Sequence, residues 1–177
     1  MDGLGWYGST EEGTLTIQAG GSLTASTGVV LGQGGPAKLI LDGGKLDVTA
    51  NSGYFYVGHY NDGYFQMNSG TATVYTLWLT ISTGKGHVQV NGGTLTIQNW
   101  MPMSSTGTVE VTGNGKIVIP WVDLNWMIAT YQPWIDSGQI NAQIGYQEGI
   151  GGYLYAVPEP MTMSLLAIGA IALIRRK

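Results

Sequence analysis

The side chains able to do acid, base or metal chemistry are few in this chain and stand apart from one another. Its 177 residues hold eleven carboxylates, five lysines, two arginines, two histidines and no cysteine. Both arginines and one lysine are the last three residues, so the chain up to Pro160 carries four lysines, no arginine and all eleven acids. A polysaccharide lyase would need a base to take a proton and commonly acids to hold Ca²⁺. Lys38, Lys45, Lys85 and Lys116 fall in or beside turn-like stretches, and none neighbours an acidic cluster. A glycosidase needs two carboxylates facing each other across a sugar, about 5 to 9.5 Å apart. Asp42 and Asp47 are close in sequence but belong to a turn and to an outward strand position. His59 and His87 each stand beside a turn glycine, with no third ligand at metal-like spacing. The stretch NGGTLTIQN (91–99) lacks the aspartate and third glycine of the calcium-binding Gly-Gly-x-Gly-x-Asp repeat. Without cysteine there is neither thiolate chemistry nor a disulfide frame. The expectation is a protein that is not an enzyme, with no catalytic residues, no metal and no cofactor.

One cluster of another kind remains. SGYFYVGHYNDGYFQM (52–67) alternates so that Phe55 and Phe65 point inward and Tyr54, Tyr56 and Tyr64 outward. Outward tyrosines on neighbouring strands can stack on sugar rings, each offering an apolar face and a hydroxyl. They can equally be ordinary cross-strand pairs.

The elements that would position these residues are repeats. Five segments align: LTIQAGGSLTA (15–25), LILDGGKLDV (39–48), FQMNSGTATV (65–74), VQVNGGTLTI (88–97) and VEVTGNGKIVI (109–119). Each carries a glycine at the second turn position, at 21, 44, 70, 93 and 115, in steps of 23, 26, 23 and 22 residues. Within each unit the alternation has period two, the signature of strands. Apolar residues form four inward columns: Leu15, Leu39, Phe65, Val88, Val109; Ile17, Leu41, Met67, Val90, Val111; Leu23, Leu46, Ala72, Leu95, Ile117; and Ala25, Val48, Val74, Ile97, Ile119. A third strand per unit is expected at VVLG (29–32), FYVG (55–58), LWLTI (77–81) and WMPM (100–103).

This predicts an all-β fold: a parallel β-helix over residues 1–119 with about five three-strand rungs, stacked at about 4.8 Å to a height near 24 Å. The crossover rule makes it right-handed. The competing reading is an antiparallel sandwich or barrel. The pattern breaks at Pro120, where WVDLNWMIATYQPWIDSGQINAQ predicts short helical turns around 123–136, ending near Gly138, then a strand-like QINAQIGY. Residues 120–148 read as a cap in which Trp121, Trp126, Tyr131 and Trp134 cover the last rung, and 149–156 as a Gly-rich linker. At the other end GWYGSTEEGTLTI (5–17) aligns with VGHYNDGYFQM (57–67) as if entering in mid-rung, and residues 1–20 lack the basic start and apolar core of a signal peptide. The expectation is an N-terminally incomplete exported protein whose bare first rung invites end-to-end self-association.

The 29 glycines and 10% charged residues disfavour a helix-rich fold. The acidic body lacks the clustered Lys and Arg that nucleic-acid binding requires.

The last segment, VPEPMTMSLLAIGAIALIRRK (157–177), sets a prolyl motif, fourteen uncharged residues (161–174) and Arg175, Arg176 and Lys177 in that order. A helix of fourteen residues covers about 21 Å of a hydrocarbon core about 30 Å thick, short for a permanent anchor. The segment resembles the PEP-CTERM sorting signal of bacterial envelope proteins, with Pro158, Glu159 and Pro160 matching the namesake motif. The repeats and the IATYQPWIDSGQINA cap also look like those of such proteins with autotransporter-like β-helical bodies. Pro160 suits a first helical turn, Glu159 the positive helix start, and the terminal cations the helix end, where they would stay cytoplasmic. The resemblance implies a transmembrane helix held transiently in the inner membrane of a Gram-negative bacterium and recognised by exosortase, an intramembrane transpeptidase. The mature protein would then stand at the cell surface, the outer membrane or in the extracellular matrix, often with exopolysaccharide. A plain C-terminal anchor is the alternative for the tail. For the body, the alternatives are a carbohydrate-binding module using Tyr54, Tyr56 and Tyr64, and an inactive relative of a polysaccharide lyase or hydrolase.

Overall fold

The computed structural model describes residues 2–4, 12–49 and 53–157. Over these the chain is mostly β, a solenoid of about four turns with one short helix. Its coil strands pair in parallel, which sets aside the antiparallel sandwich.

The first face runs from β2 (Gly13–Gln18) through the first halves of β5 (Ala37–Val48) and β7 (Gly63–Val74) to β9 (Gly86–Val90) and β11 (Gly107–Val111). The second runs from β3 (Ser22–Thr24) through the later halves of β5 and β7 to β10 (Thr94–Ile97) and β12 (Lys116–Ile119). The third is a separate four-stranded sheet of β1 (Asp2–Leu4), β4 (Gly28–Leu31), β6 (Tyr54–Val57) and β8 (Thr76–Leu79).

The inward columns follow the register predicted from the alternation. Leu15 lies beside Leu39, then Phe65, Val88 and Val109; Leu23 beside Leu46, then Ala72, Leu95 and Ile117. From the second unit onward these side chains are essentially sealed from water, whereas Leu15 and Leu23 in the first unit are only partly buried. Burial of this kind contributes about 25 cal/mol per Å² of apolar surface, the main favourable term in the fold. Between the columns, outward polar side chains bond from rung to rung: Asn91 Nδ2 donates to Asn68 Oδ1 (3.0 Å), and the Thr112 hydroxyl to Asn91 Oδ1 (2.7 Å).

The turn glycines do not always break the strands. β5 and β7 run through them as twelve-residue strands with an irregular register between Leu41 and Lys45. Gly70 has φ 96°, and a Cβ there would lie 2.3 Å from the Gly44 carbonyl oxygen, so backbones on successive rungs close in where only glycine fits.

Two features differ from expectation. At WMPM the fourth rung forms no named strand: a single bridge joins Leu79 to Met103, and the Trp100 and Pro102 carbonyls accept from the Leu77 and Leu79 amides. Pro102 has no N–H to offer onward, which limits ladder formation there. And 149–156, read as a linker, contains β15 (Gly151–Tyr155), which pairs antiparallel with β12 and with β14 (Gln143–Gln147). It closes the second face, with Leu154 opposite Ile117 and buried at the end of that inward column.

The cap helix α1 (Leu124–Asp136) starts at Asp123, whose carboxylate accepts from the Trp126 amide at 2.8 Å, and ends at Ser137 before Gly138 (φ 78°). Two-residue β13 (Ile140–Asn141) then ends the first face beside β11. Tyr131 is buried and its hydroxyl oxygen accepts from the Met101 amide at 3.3 Å; Trp126 and Trp134 pack against the core. Trp121 stays half-exposed, its indole N–H bonded to the Asn99 carbonyl. No helix among the described residues is long and apolar enough to cross a membrane.

Candidate functional site

The three tyrosines singled out in sequence do not share a face. Tyr54 and Tyr56 stand on β6 in the third sheet; Tyr64 stands on β7 in the first. Between them the chain rounds a corner at Gly58 (φ 79°), where the Asn61 amide bonds the Gly32 carbonyl.

On the first face Tyr64 sits between Lys38 and His87 in register, with Thr108 following. The Tyr64 and His87 rings are 5.9 Å apart, and His87 Nδ1 shares a 2.7 Å hydrogen bond with the Thr108 hydroxyl. Burial pulls the imidazole pKa below its ordinary value; the nearby Glu110 carboxylate opposes this and Lys38 adds to it. A histidine beside a hydroxyl is a possible nucleophile pair, but here it repeats the rung-to-rung bonding that runs along this face, like Gln89 to Glu110 at 3.0 Å.

The carboxylates are dispersed. Asp47 is tied to Lys45 (3.7 Å) and to the Thr49 hydroxyl (2.7 Å), and Asp42, expected in a turn, is an exposed residue within β5. Among the described residues no group of three or more His, Cys, Asp or Glu could hold a metal ion.

Tyr54 and Tyr56 instead join a different set of rings. They stack on each other at 5.6 Å with planes 17° apart. The strip continues from Tyr56 to Trp78 of β8 (6.4 Å) and from Trp78 to Trp100 (5.7 Å), while His59 lies 6.1 Å from Tyr56 and 4.1 Å from Tyr60. Burial, with a contribution from Tyr54, raises the Tyr56 pKa, so its phenol stays neutral. Trp78 was within reach of the repeat: LWLTI aligns with FYVG, which places Trp78 beside Tyr56. Trp100 had no strand to announce it.

Pro158, Glu159, Pro160, Arg175, Arg176 and Lys177, with the apolar stretch 161–174, lie outside the described residues.

Fold and surface together define a parallel β-solenoid with an aromatic strip on its third face. Comparison with protein-family models, with curated proteins and with solved structures gives no match to the chain.

Proposed function

We propose that this chain is an exported structural protein of a bacterial cell surface or extracellular matrix, not an enzyme, delivered by a C-terminal signal that exosortase processes. The observation that carries this reading is the order Pro158-Glu159-Pro160, fourteen uncharged residues, Arg175-Arg176-Lys177. That stretch is too short to suit lifelong anchorage but long enough to present a motif to an intramembrane enzyme. The apolar segment is a transient inner-membrane helix in this reading, and the basic end holds the cytoplasmic side. The body's few acids and cations are scattered over turns and outward strand positions, which favours a scaffold over a catalyst. A right-handed coil follows from the handedness of about 98% of parallel crossovers. The mature protein associates with exopolysaccharide. The chain as given self-associates end to end in this reading, through β2 and β3, which each have one parallel partner strand among the described residues and leave the Leu15 and Leu23 side chains part-exposed; a further rung before them would remove that tendency.

The test uses a host that contains exosortase. Changing Pro158, Glu159 and Pro160 together to Ala leaves the apolar stretch and the cations intact, so membrane insertion persists while processing stops. Intact-mass measurement should show the wild type short by its hydrophobic tail and located at the surface, and the triple variant full-length in the inner membrane. Full-length wild type recovered with exosortase present overturns the reading in favour of a simple anchor.

A further inference from the structure

We infer that the aromatic strip on the third face is a binding platform for an uncharged polysaccharide chain. The strip runs through Tyr54, Tyr56, Trp78 and Trp100, flanked by His59 and Tyr60. The inference deepens only the polysaccharide association named above; it does not depend on how the chain is delivered.

The first observation is exposure. Tyr54, Trp100 and Tyr60 are 40%, 43% and 57% exposed. Single exposed apolar residues are ordinary on a protein surface, whereas a contiguous run of large rings marks a contact surface. These rings form one run, with neighbouring centroids no more than 6.4 Å apart.

The second is shape. Tyr54 and Tyr56 lie along β6, Trp78 is beside Tyr56 on β8, and Trp100 stands on the next rung, so the rings cross three successive rungs of a parallel ladder about 4.8 Å apart and are held on a rigid face. An open row of rings is suited to a long ligand with its own repeat. A compact small molecule would want a concave pocket that buries most of its surface. A pyranose residue offers an apolar face of axial C–H groups and a rim of hydroxyls, the complement of a ring that carries an O–H or N–H at its edge.

The third is charge. β4, β6, β8 and residues 100–103 carry no acidic or basic side chain. Nothing on these segments neutralises uronate, sulfate or phosphate, and the sheet's remaining strand, β1, adds only the acid Asp2, so the face matches a neutral chain.

The fourth is unused hydrogen-bonding capacity. Trp78 Nε1 and His59 Nδ1 are buried without a partner. A buried polar atom left unpaired is costly, and both belong to this strip. Both atoms are closed to a water-sized contact, so a sugar hydroxyl reaches them only when the covering side chains shift on binding. At its far end the strip stops at Val30, which is in register with Tyr56 but 1% exposed.

Native affinity electrophoresis of the full chain tests this, with hydroxyethylcellulose, galactomannan or glycogen in the gel, and alginate as the anionic counterpart. The wild type should be retarded by at least one of the neutral polymers and not by alginate. Tyr54→Ala and Trp100→Ala alter half-exposed rings and should each weaken retardation about tenfold. Trp78→Phe keeps a ring but removes the N–H, and should weaken it less. Tyr64→Ala, on the other sheet, should retain wild-type mobility shifts. Circular dichroism checks that each variant folds; should Trp78→Phe unfold, the two exposed-ring variants still decide. No retardation by any of the three neutral polymers overturns the inference, as does retardation unchanged in a Tyr54→Ala/Trp100→Ala double variant, or equal loss in Tyr64→Ala. A wild-type dimer that the strip variants dissociate, with no polysaccharide bound, would assign the strip to a second copy and also overturn it. None of these outcomes bears on tail processing, which is read by mass in a different assay.

Discussion

The third face turns a corner after Leu31, Val57 and Leu79, which are in register, and does so with Gly32 at φ 84°, Gly58 at φ 79° and Thr80 at φ 62°. The left-handed backbone costs an L-residue about 1–2 kcal/mol. At Gly58 the cost would be compounded, because a Cβ would stand 2.4 Å from the Lys85 carbonyl carbon and oxygen. Gly58→Ala should therefore lose about 3 kcal/mol or more, as strain and overlap add. Thr80 occupies the same turn with its side chain in use: its hydroxyl oxygen accepts from the Gly86 amide at 2.9 Å. Thr80→Gly relieves the strain and forfeits a bond worth about 0.5–1.5 kcal/mol, so its net effect should stay within about 1 kcal/mol. Urea midpoints at constant slope measure both. If Thr80→Gly cost as much as Gly58→Ala, the hydroxyl and not the backbone would be governing that corner.

At the scale of elements, period-two spacing was enough to place whole columns. Val88 and Val109 lie where the alternation of VQVNGG and VEVTGN puts them, because a strand exposes the same face every second residue. The cap was legible only in outline: short helical turns around 123–136 ending near Gly138 are in fact one continuous helix over 124–136, which Asp123 caps. What escaped depended on distant partners. Gly151–Tyr155 looks like a linker, yet Gly152 is where the Met127 side chain presses in, its Cγ 2.3 Å from a Cβ built there, a packing demand set by α1. The repeat already assigns FYVG and FQMNSG to different strands and aligns Trp78 with Tyr56; what it does not show is that Trp100, on a segment with no named strand, continues the ring contacts from Trp78.

The cap also carries a pH prediction. Burial pushes the Tyr131 phenol well above its ordinary range, against a smaller opposing effect from the Met101 amide. With the folded pKa above the unfolded value of about 10, the folded state holds the proton more tightly. This contribution is complete below about pH 10 and is lost as pH rises beyond it. Tyr131→Phe should cost about 1 kcal/mol at neutral pH, through the hydrogen bond, and decline less steeply above pH 10. Parallel alkaline limbs for the two proteins in thermal unfolding would place the alkaline sensitivity elsewhere.

For the whole molecule, a solenoid in which each rung touches only its neighbours has stability that varies along its axis instead of a single shared value. β7 is flanked by β5 on one side and by β9 and β10 on the other, with Phe65, Met67, Ala72 and Val74 sealed inside. β2 and β3 pair only with β5 among the described residues, and Leu15 and Leu23 keep part of their surface in water. Amide hydrogen exchange should therefore be slowest in β7 and β9 and fastest in β2 and β3. The other end is held by the cap, where Tyr131 ties α1 to the Met101 amide and Leu154 ends an inward column. Tyr131→Ala removes a buried aromatic side chain, a loss of about 3–5 kcal/mol. If coupling passes only between neighbours, that loss should speed exchange strongly in β11, β12 and β15, weakly in β9 and β10, and not at all in β2, β3 and β5. An equal rise in every strand would mean the coil unfolds as one unit, and the rung-by-rung account of its stability would fail. A graded response would instead show that the first rungs can open or take on a neighbour while the middle of the coil keeps its rings and turns in place.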